Sequence, residues 1–72
     1  MKLAIAVRRN DFFPPGTWVE VTDDGVQEVE IRQNGSTIEY VRSIGFIYPA
    51  DLVADVLQPV NVRGMQFINR SR

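Results

Sequence analysis

The sequence contains no cysteine and no histidine, and it has a single lysine. Without these two residue types the chain lacks disulfides, the usual zinc sites, a thiol nucleophile and an imidazole base. Lys2 lies at the start of the chain, where a buried Schiff-base lysine is not expected. The sequence also lacks a glycine-rich phosphate loop. We therefore predict a protein that is not an enzyme and that holds neither a metal nor a cofactor.

Long apolar runs are also lacking. The run at residues 3–7 is five residues long and is closed by Arg8 and Arg9. It is too short for the hydrophobic region of a secretion signal or for a membrane span. Together with the absence of cysteine, this leads us to expect a cytoplasmic protein that does not contact a membrane.

What the chain does have is an ordinary globular composition, with 72 residues, 44% of them hydrophobic and 24% charged. A chain of this length supports one hydrophobic core. We predict a single β-rich domain over residues 1–59, followed by an extended and mobile basic tail over residues 60–72.

Alternation of apolar and polar residues predicts strands at residues 2–7, 17–22, 26–32 and 37–44. Two hairpin signals join the last three of these strands, Asp24 with Gly25 and Asn34 with Gly35. The pattern therefore predicts an antiparallel meander.

Beyond this meander the period of the apolar residues changes from two to three and four, which is typical of a helix. The predicted helix covers residues 50–57, between Pro49 and Pro59. Its apolar stripe is Leu52, Val53, Val56 and Leu57. The predicted fold class is α+β: a small antiparallel β-meander of three to four strands, one short C-terminal helix docked on the sheet, and a flexible basic tail.

Charge is distributed unevenly along the chain. Residues 11–31 carry six carboxylates and no cation, whereas both ends are basic. We predict that Glu28 and Glu30, with Glu20 and Asp24 on the neighbouring strand, form an acidic outer face. Such a face commonly serves only solubility, but it also suits docking of a basic partner or mimicry of nucleic-acid phosphate.

The loop at residues 8–16 combines Arg8 and Arg9 with Phe12, Phe13 and two prolines. Arginine and aromatic residues are frequent at interface hot spots, and proline lowers the entropy cost of ordering a loop. The alternative is that one phenylalanine caps the core and the other is partly exposed. We expect Trp18 to lie under the helix, with a role as an interface anchor as its alternative.

Three arginines make the tail basic, and arginine forks onto carboxylate or phosphate groups. The tail could contact an anionic partner or serve as a plain disordered terminus, and its apolar residues Val60, Val62 and Met65 to Ile68 could add a strand. The predicted partner-binding residues are Arg8, Arg9, Phe12, Phe13, Glu28, Glu30, Arg63, Arg70 and Arg72.

Taken together, the meander with an acidic side, the Arg-Phe loop and the arginine tail resemble small phage-encoded regulators that bind host bacterial RNA polymerase. The resemblance concerns the layout of the whole chain and implies a monomer in the host cytoplasm. It also implies inhibition of transcription initiation by competition with the σ factor, and promotion of antitermination. Two other functions are compatible with the residues: an acidic nucleic-acid mimic that inhibits a defence nuclease (anti-CRISPR or anti-restriction), and a small nucleic-acid-binding module.

Overall fold

The computed structural model describes residues 2–60 and 66–69, the last four as backbone only. The described residues form one six-stranded sheet with the strand order β5-β1-β2-β3-β4-β6. The strands are β1 (Lys2–Ala6), β2 (Trp18–Thr22), β3 (Gly25–Asn34), β4 (Thr37–Tyr48), β5 (Leu57–Pro59) and β6 (Gln66–Asn69).

The first five strands are antiparallel to their neighbours, and β6 adds to β4 in parallel. Both predicted hairpins are confirmed, because β2 pairs with β3 up to Gly25 and β3 pairs with β4 across Asn34 and Thr37. The pairing of β5 with β1 brings the segment after β4 back to the opposite edge of the meander.

Both faces of the sheet carry apolar clusters, because neighbouring residues of a strand point to opposite faces. The first cluster lies on the face of Ala4 and Val19, which are paired across β1 and β2. Its buried members are Ala4, Ala6, Phe13, Val19, Val26, Val53 and Val56. The second cluster contains Leu3, Val29 and Tyr40, with Trp18, Ile31 and Val60 packed against it. The prediction that Trp18 lies under a helix is therefore wrong.

The predicted α+β class is also wrong: the described part of the chain is mostly β and contains no α-helix. Residues 50–57 form two 3₁₀ turns, Ala50–Leu52 and Ala54–Val56, before they enter β5. Val53 separates the turns with φ of −129°, outside helical geometry, and neither turn has a side-chain cap. Since eight residues do not sustain a helix by themselves, packing decides the conformation.

The buried residues of this segment are three positions apart, as on one side of a 3₁₀ segment. Val53 and Val56 are buried in the first cluster, whereas Leu52 of the predicted stripe is exposed. The last member of the stripe, Leu57, begins β5. The predicted sheet of three to four strands is correspondingly too small, because β5 was not predicted and β6 falls in the segment predicted as a tail.

The predicted tail lies partly outside the described residues. Val60 donates its backbone N–H to the carbonyl oxygen of Leu3 at 3.0 Å, and Gln66–Asn69 form β6. Arg63, Arg70 and Arg72 fall outside the part of the chain that the structure describes.

Candidate protein-docking surface

The fourth strand carries a stretch of exposed apolar residues. In the β3–β4 ladder Gln27 pairs with Ile47 and Glu28 pairs with Ile44, so that Gly45 and Phe46 are extra residues of a β-bulge. Bulges bend a strand and redirect its side chains. Phe46 is 79% exposed, Ile47 50% and Ile44 38%. We call residues 44–47 the apolar bulge.

Local contacts fix the shape of the apolar bulge. Gly45 has a φ of +79°, a conformation that favours glycine. The side-chain Nε2 of Gln27 donates a hydrogen bond to the Gly45 carbonyl oxygen at 2.9 Å. The bulge therefore presents Phe46 to solvent in a geometry that its own strand pair maintains.

The concentration of exposed apolar residues in this segment is unusual for the molecule. The described residues include five large hydrophobic side chains that are exposed, and three of them are in the apolar bulge. The other two, Val7 and Leu52, are separate in sequence. Single exposed apolar residues are normal on a protein surface, whereas grouped ones mark interaction sites.

Carboxylates flank the apolar bulge. Glu28 lies directly across the ladder from Ile44 and is half-buried. Asp23 and Asp24 form the exposed turn that leads into Gly25, and a Cβ atom at Gly25 would lie 2.9 Å from Ile47 Cγ2. Arg42, two residues before Ile44, is engaged by Glu30 at 3.1 Å. Glu28, Asp23 and Asp24 form the acidic rim of the apolar bulge, and Lys2 shares a surface hollow with one of them, Asp23.

The loop at residues 8–16, predicted as a partner site, is organised by the side-chain amide of Asn10. Its Oδ1 accepts the backbone N–H groups of Phe12 and Phe13, both at 2.8 Å. Its Nδ2 donates to the carbonyl oxygens of Arg8 at 2.9 Å and Phe13 at 2.8 Å. One side chain thus satisfies four backbone groups that lack partners in a strand or helix.

The two phenylalanines of this loop point toward the molecule. Phe13 is 3% exposed and belongs to the first cluster. Phe12 is half-buried. The ring centroid of Tyr48 lies 4.9 Å from that of Phe12 and 5.4 Å from that of Phe13. The loop aromatics therefore follow the alternative of one buried and one partly exposed ring.

The charged residues of the loop differ in their surroundings. The Arg8 guanidinium donates to the Asp55 carbonyl oxygen and ties the loop to the second 3₁₀ turn. Arg9 is exposed and lines a surface hollow with the loop segment up to Pro15. Both arginines are exposed, but of the two only Arg8 makes the contact with the second 3₁₀ turn.

The predicted acidic outer face is divided between the two sides of the sheet. Glu28 pairs with Val19, and Glu30 follows two residues later on the same side. Glu20 pairs with Leu3 and so lies on the opposite side. There it accepts a hydrogen bond from Ser43 Oγ at 3.3 Å. The four carboxylates therefore do not form one row.

The described residues contain no group of three or more potential metal ligands. The hollow between β1, β2 and the first 3₁₀ turn is lined by Lys2 and by apolar side chains, including Val21, Val26 and Leu57. Lys2 also lines a second hollow, with Thr22 and Asp23. Within the described ranges no helix is long and apolar enough to cross a membrane.

Sequence reasoning missed the apolar bulge because it ended the strand at residue 44. A signal was present: an isolated glycine inside an apolar strand pattern, as at Gly45, indicates a bulge. Comparison of the chain with protein-family models, curated proteins and solved structures gives no match.

Proposed function

We propose that this chain is a non-enzymatic regulator that binds a protein partner through the apolar bulge, and that the partner is bacterial RNA polymerase. The observation that carries the proposal is the 79% exposure of Phe46 on a bulge of fixed shape. Burial of a phenylalanine side chain stabilises a complex by about 1.5–3 kcal/mol, and preorganisation lowers the entropy cost. Phe46 is thus suited to be an interface hot spot.

RNA polymerase as the partner is supported by the resemblance of the chain's layout to phage-encoded regulators. In this proposal the protein competes with the σ factor at initiation and later assists elongation through terminators. Arg9 on the exposed loop provides a second contact. Two weak contacts on one target raise the overall affinity without a large interface.

The two alternative functions receive less support. A phosphate mimic needs a row of free carboxylates, but Glu30 is engaged by Arg42 and Glu20 lies on the other side of the sheet. A nucleic-acid module needs a continuous basic face. Of the described arginines, however, Arg8 is tied to Asp55 and Arg42 to Glu30.

The experiment is a binding titration of the labelled full chain with purified bacterial core RNA polymerase, with and without σ factor. We expect binding to the core enzyme and competition with σ. Phe46→Ser should weaken binding by about tenfold or more, as removal of a hot-spot side chain does. Leu52→Ser, at a side chain that is 52% exposed, is the matched control and should change the affinity less than about threefold.

Two results would contradict the proposal separately. Failure of the unaltered chain to bind either form of the polymerase refutes this partner. Equal binding of the unaltered chain and the Phe46→Ser variant refutes the apolar bulge as the contact surface.

A further inference from the structure

We infer that the apolar bulge receives a cationic amphipathic segment of its partner, in which apolar side chains cover Phe46 and flanking lysine or arginine side chains meet the acidic rim. This inference rests on the proposed function, since it takes the same bulge as the docking surface. It adds the chemistry of the partner segment.

Phe46 and Ile47 are exposed at 79% and 50%, so the apolar part of the partner has a defined place to bind. The bulge is also free to be covered. From residue 43 to 48, the backbone pairing of β4 with other described strands is to β3 alone, because β6 pairs only with Thr37–Tyr40. The outer side of β4 is therefore open at the bulge within the described residues.

The negative charge of the rim favours a positively charged partner segment. Glu28 stands across from Ile44 in the ladder, and its side chain makes no hydrogen bond or ion pair to the described residues. Asp23 and Asp24 are exposed beside the contact of Gly25 with Ile47. The one nearby cation on β4, Arg42, is already engaged by Glu30. Lys2 lines a surface hollow with Asp23, whereas the side chains of Glu28 and Asp24 have no ion pair with the described cations. In this inference the partner segment supplies the charges complementary to them.

The same rim disfavours the other occupants of an apolar surface. In a symmetric contact between two copies of this chain, the carboxylates of the two rims would approach each other, and like charges that are juxtaposed oppose association. A nucleic acid would bring its phosphates against the same carboxylates. The rim charges thus favour a basic protein segment over both.

The test uses the isotope-labelled full chain and two synthetic amphipathic peptides with the same leucine pattern, one with lysine and one with glutamate at every polar position. Nuclear magnetic resonance titration follows the backbone amides. We expect the lysine peptide to give saturable shifts at residues 44–47 and Glu28, and the glutamate peptide to give none. Phe46→Ser should weaken binding of the lysine peptide by about tenfold.

Charge variants test the rim separately. Glu28→Gln should weaken binding of the lysine peptide about threefold and reduce its dependence on salt, because rim charges are screened by salt. Asp55→Asn removes one exposed carboxylate from the second 3₁₀ turn and serves as the matched control. It should leave the affinity unchanged.

Four results would overturn the inference: equal shifts with both peptides, shifts that spare residues 44–47, no shifts up to the solubility limit of the lysine peptide, or dilution-dependent shifts without peptide. The last result would assign the surface to a second copy of the chain. Binding of the lysine peptide without binding of RNA polymerase refutes the proposed partner and supports the inference. Polymerase binding that depends on Phe46 but gives no response to the lysine peptide refutes the inference alone.

Discussion

Asn10 shows how one side chain can determine the course of a loop. It makes four hydrogen bonds to backbone groups within residues 8–13. Each is worth about 0.5–1.5 kcal/mol, and unpaired groups in a half-buried loop cost more. We therefore expect Asn10→Ala to lower the free energy of unfolding by about 2–3 kcal/mol in urea denaturation.

Two matched variants separate the contributions to this effect. Asn10→Asp keeps the oxygen that accepts from Phe12 and Phe13 but turns an anionic oxygen toward the carbonyl oxygens of Arg8 and Phe13, so it should also lower stability. Asp11→Ala alters an exposed neighbour and should change stability by less than about 0.5 kcal/mol. If Asn10→Ala and Asp11→Ala are equally stable, the amide does not organise the loop.

Gly25 is the second residue on which local geometry depends. Its φ is +135°, and a Cβ atom there would overlap the Tyr48 carbonyl oxygen and the Ile47 side chain. Gly45 also has a positive φ but has open space around its Cα. We expect Gly25→Ala to cost about 3 kcal/mol or more and Gly45→Ala about 1–2 kcal/mol. Thermal unfolding of the two variants measures the difference, and equal losses would mean that strain alone matters at Gly25.

At the scale of the element, the two 3₁₀ turns depend on packing and not on helix propensity. Val53 is fully buried and Val56 nearly so, whereas Leu52 is 52% exposed. Val53→Ala should therefore lower the free energy of unfolding by about 1–3 kcal/mol, although alanine is the better helix former. Leu52→Ala should cost less than about 1 kcal/mol. Similar losses for both variants in urea denaturation would instead favour an apolar helical stripe that includes Leu52.

The elements that could be predicted are those with local signals. Alternation located β1 to β4, and glycine after an acidic or amide residue located both hairpins. The pairing of β5 with β1 could not be predicted in this way, because Leu57–Pro59 is too short to show a period. The burial of Val53 without Leu52 depends on tertiary contacts between distant parts of the chain, such as the hydrogen bond from the Val7 N–H to the Val56 carbonyl oxygen, 49 residues away.

The candidate site, too, could be predicted only where the sequence carries a local signal. The acidic residues that became its rim were predicted from the charge pattern, including Glu28. The apolar centre was not, because exposure of Phe46 follows from the register of β3 against β4. Phe12 and Phe13 resembled hot-spot residues in sequence, but their contacts with Tyr48 place them against the core.

At the scale of the whole molecule, the chain divides its apolar residues between two opposite faces of one sheet and a bulge at its edge. Strands β1 to β3 contribute to both clusters, because consecutive residues point to opposite faces. Leu3, for example, belongs to the second cluster and Ala4 to the first. A domain of 72 residues has a thin margin of stability. Phe46, at 79% exposure, adds little to that margin, so its replacement should cost little stability and leave the proposed binding role open to test.

The absence of histidine affects how the stability of the whole molecule depends on pH. Histidine is the side chain whose ordinary charge change falls between about pH 5 and 8. Folded and unfolded chains therefore bind nearly equal numbers of protons over about pH 6 to 8, and linkage then gives a stability that does not change with pH. We expect urea denaturation at about pH 6, 7 and 8 to give the same free energy of unfolding within about 0.5 kcal/mol. A steeper dependence would require a carboxylate that titrates far above its ordinary range in the folded chain, and would make that carboxylate a candidate for proton-transfer chemistry.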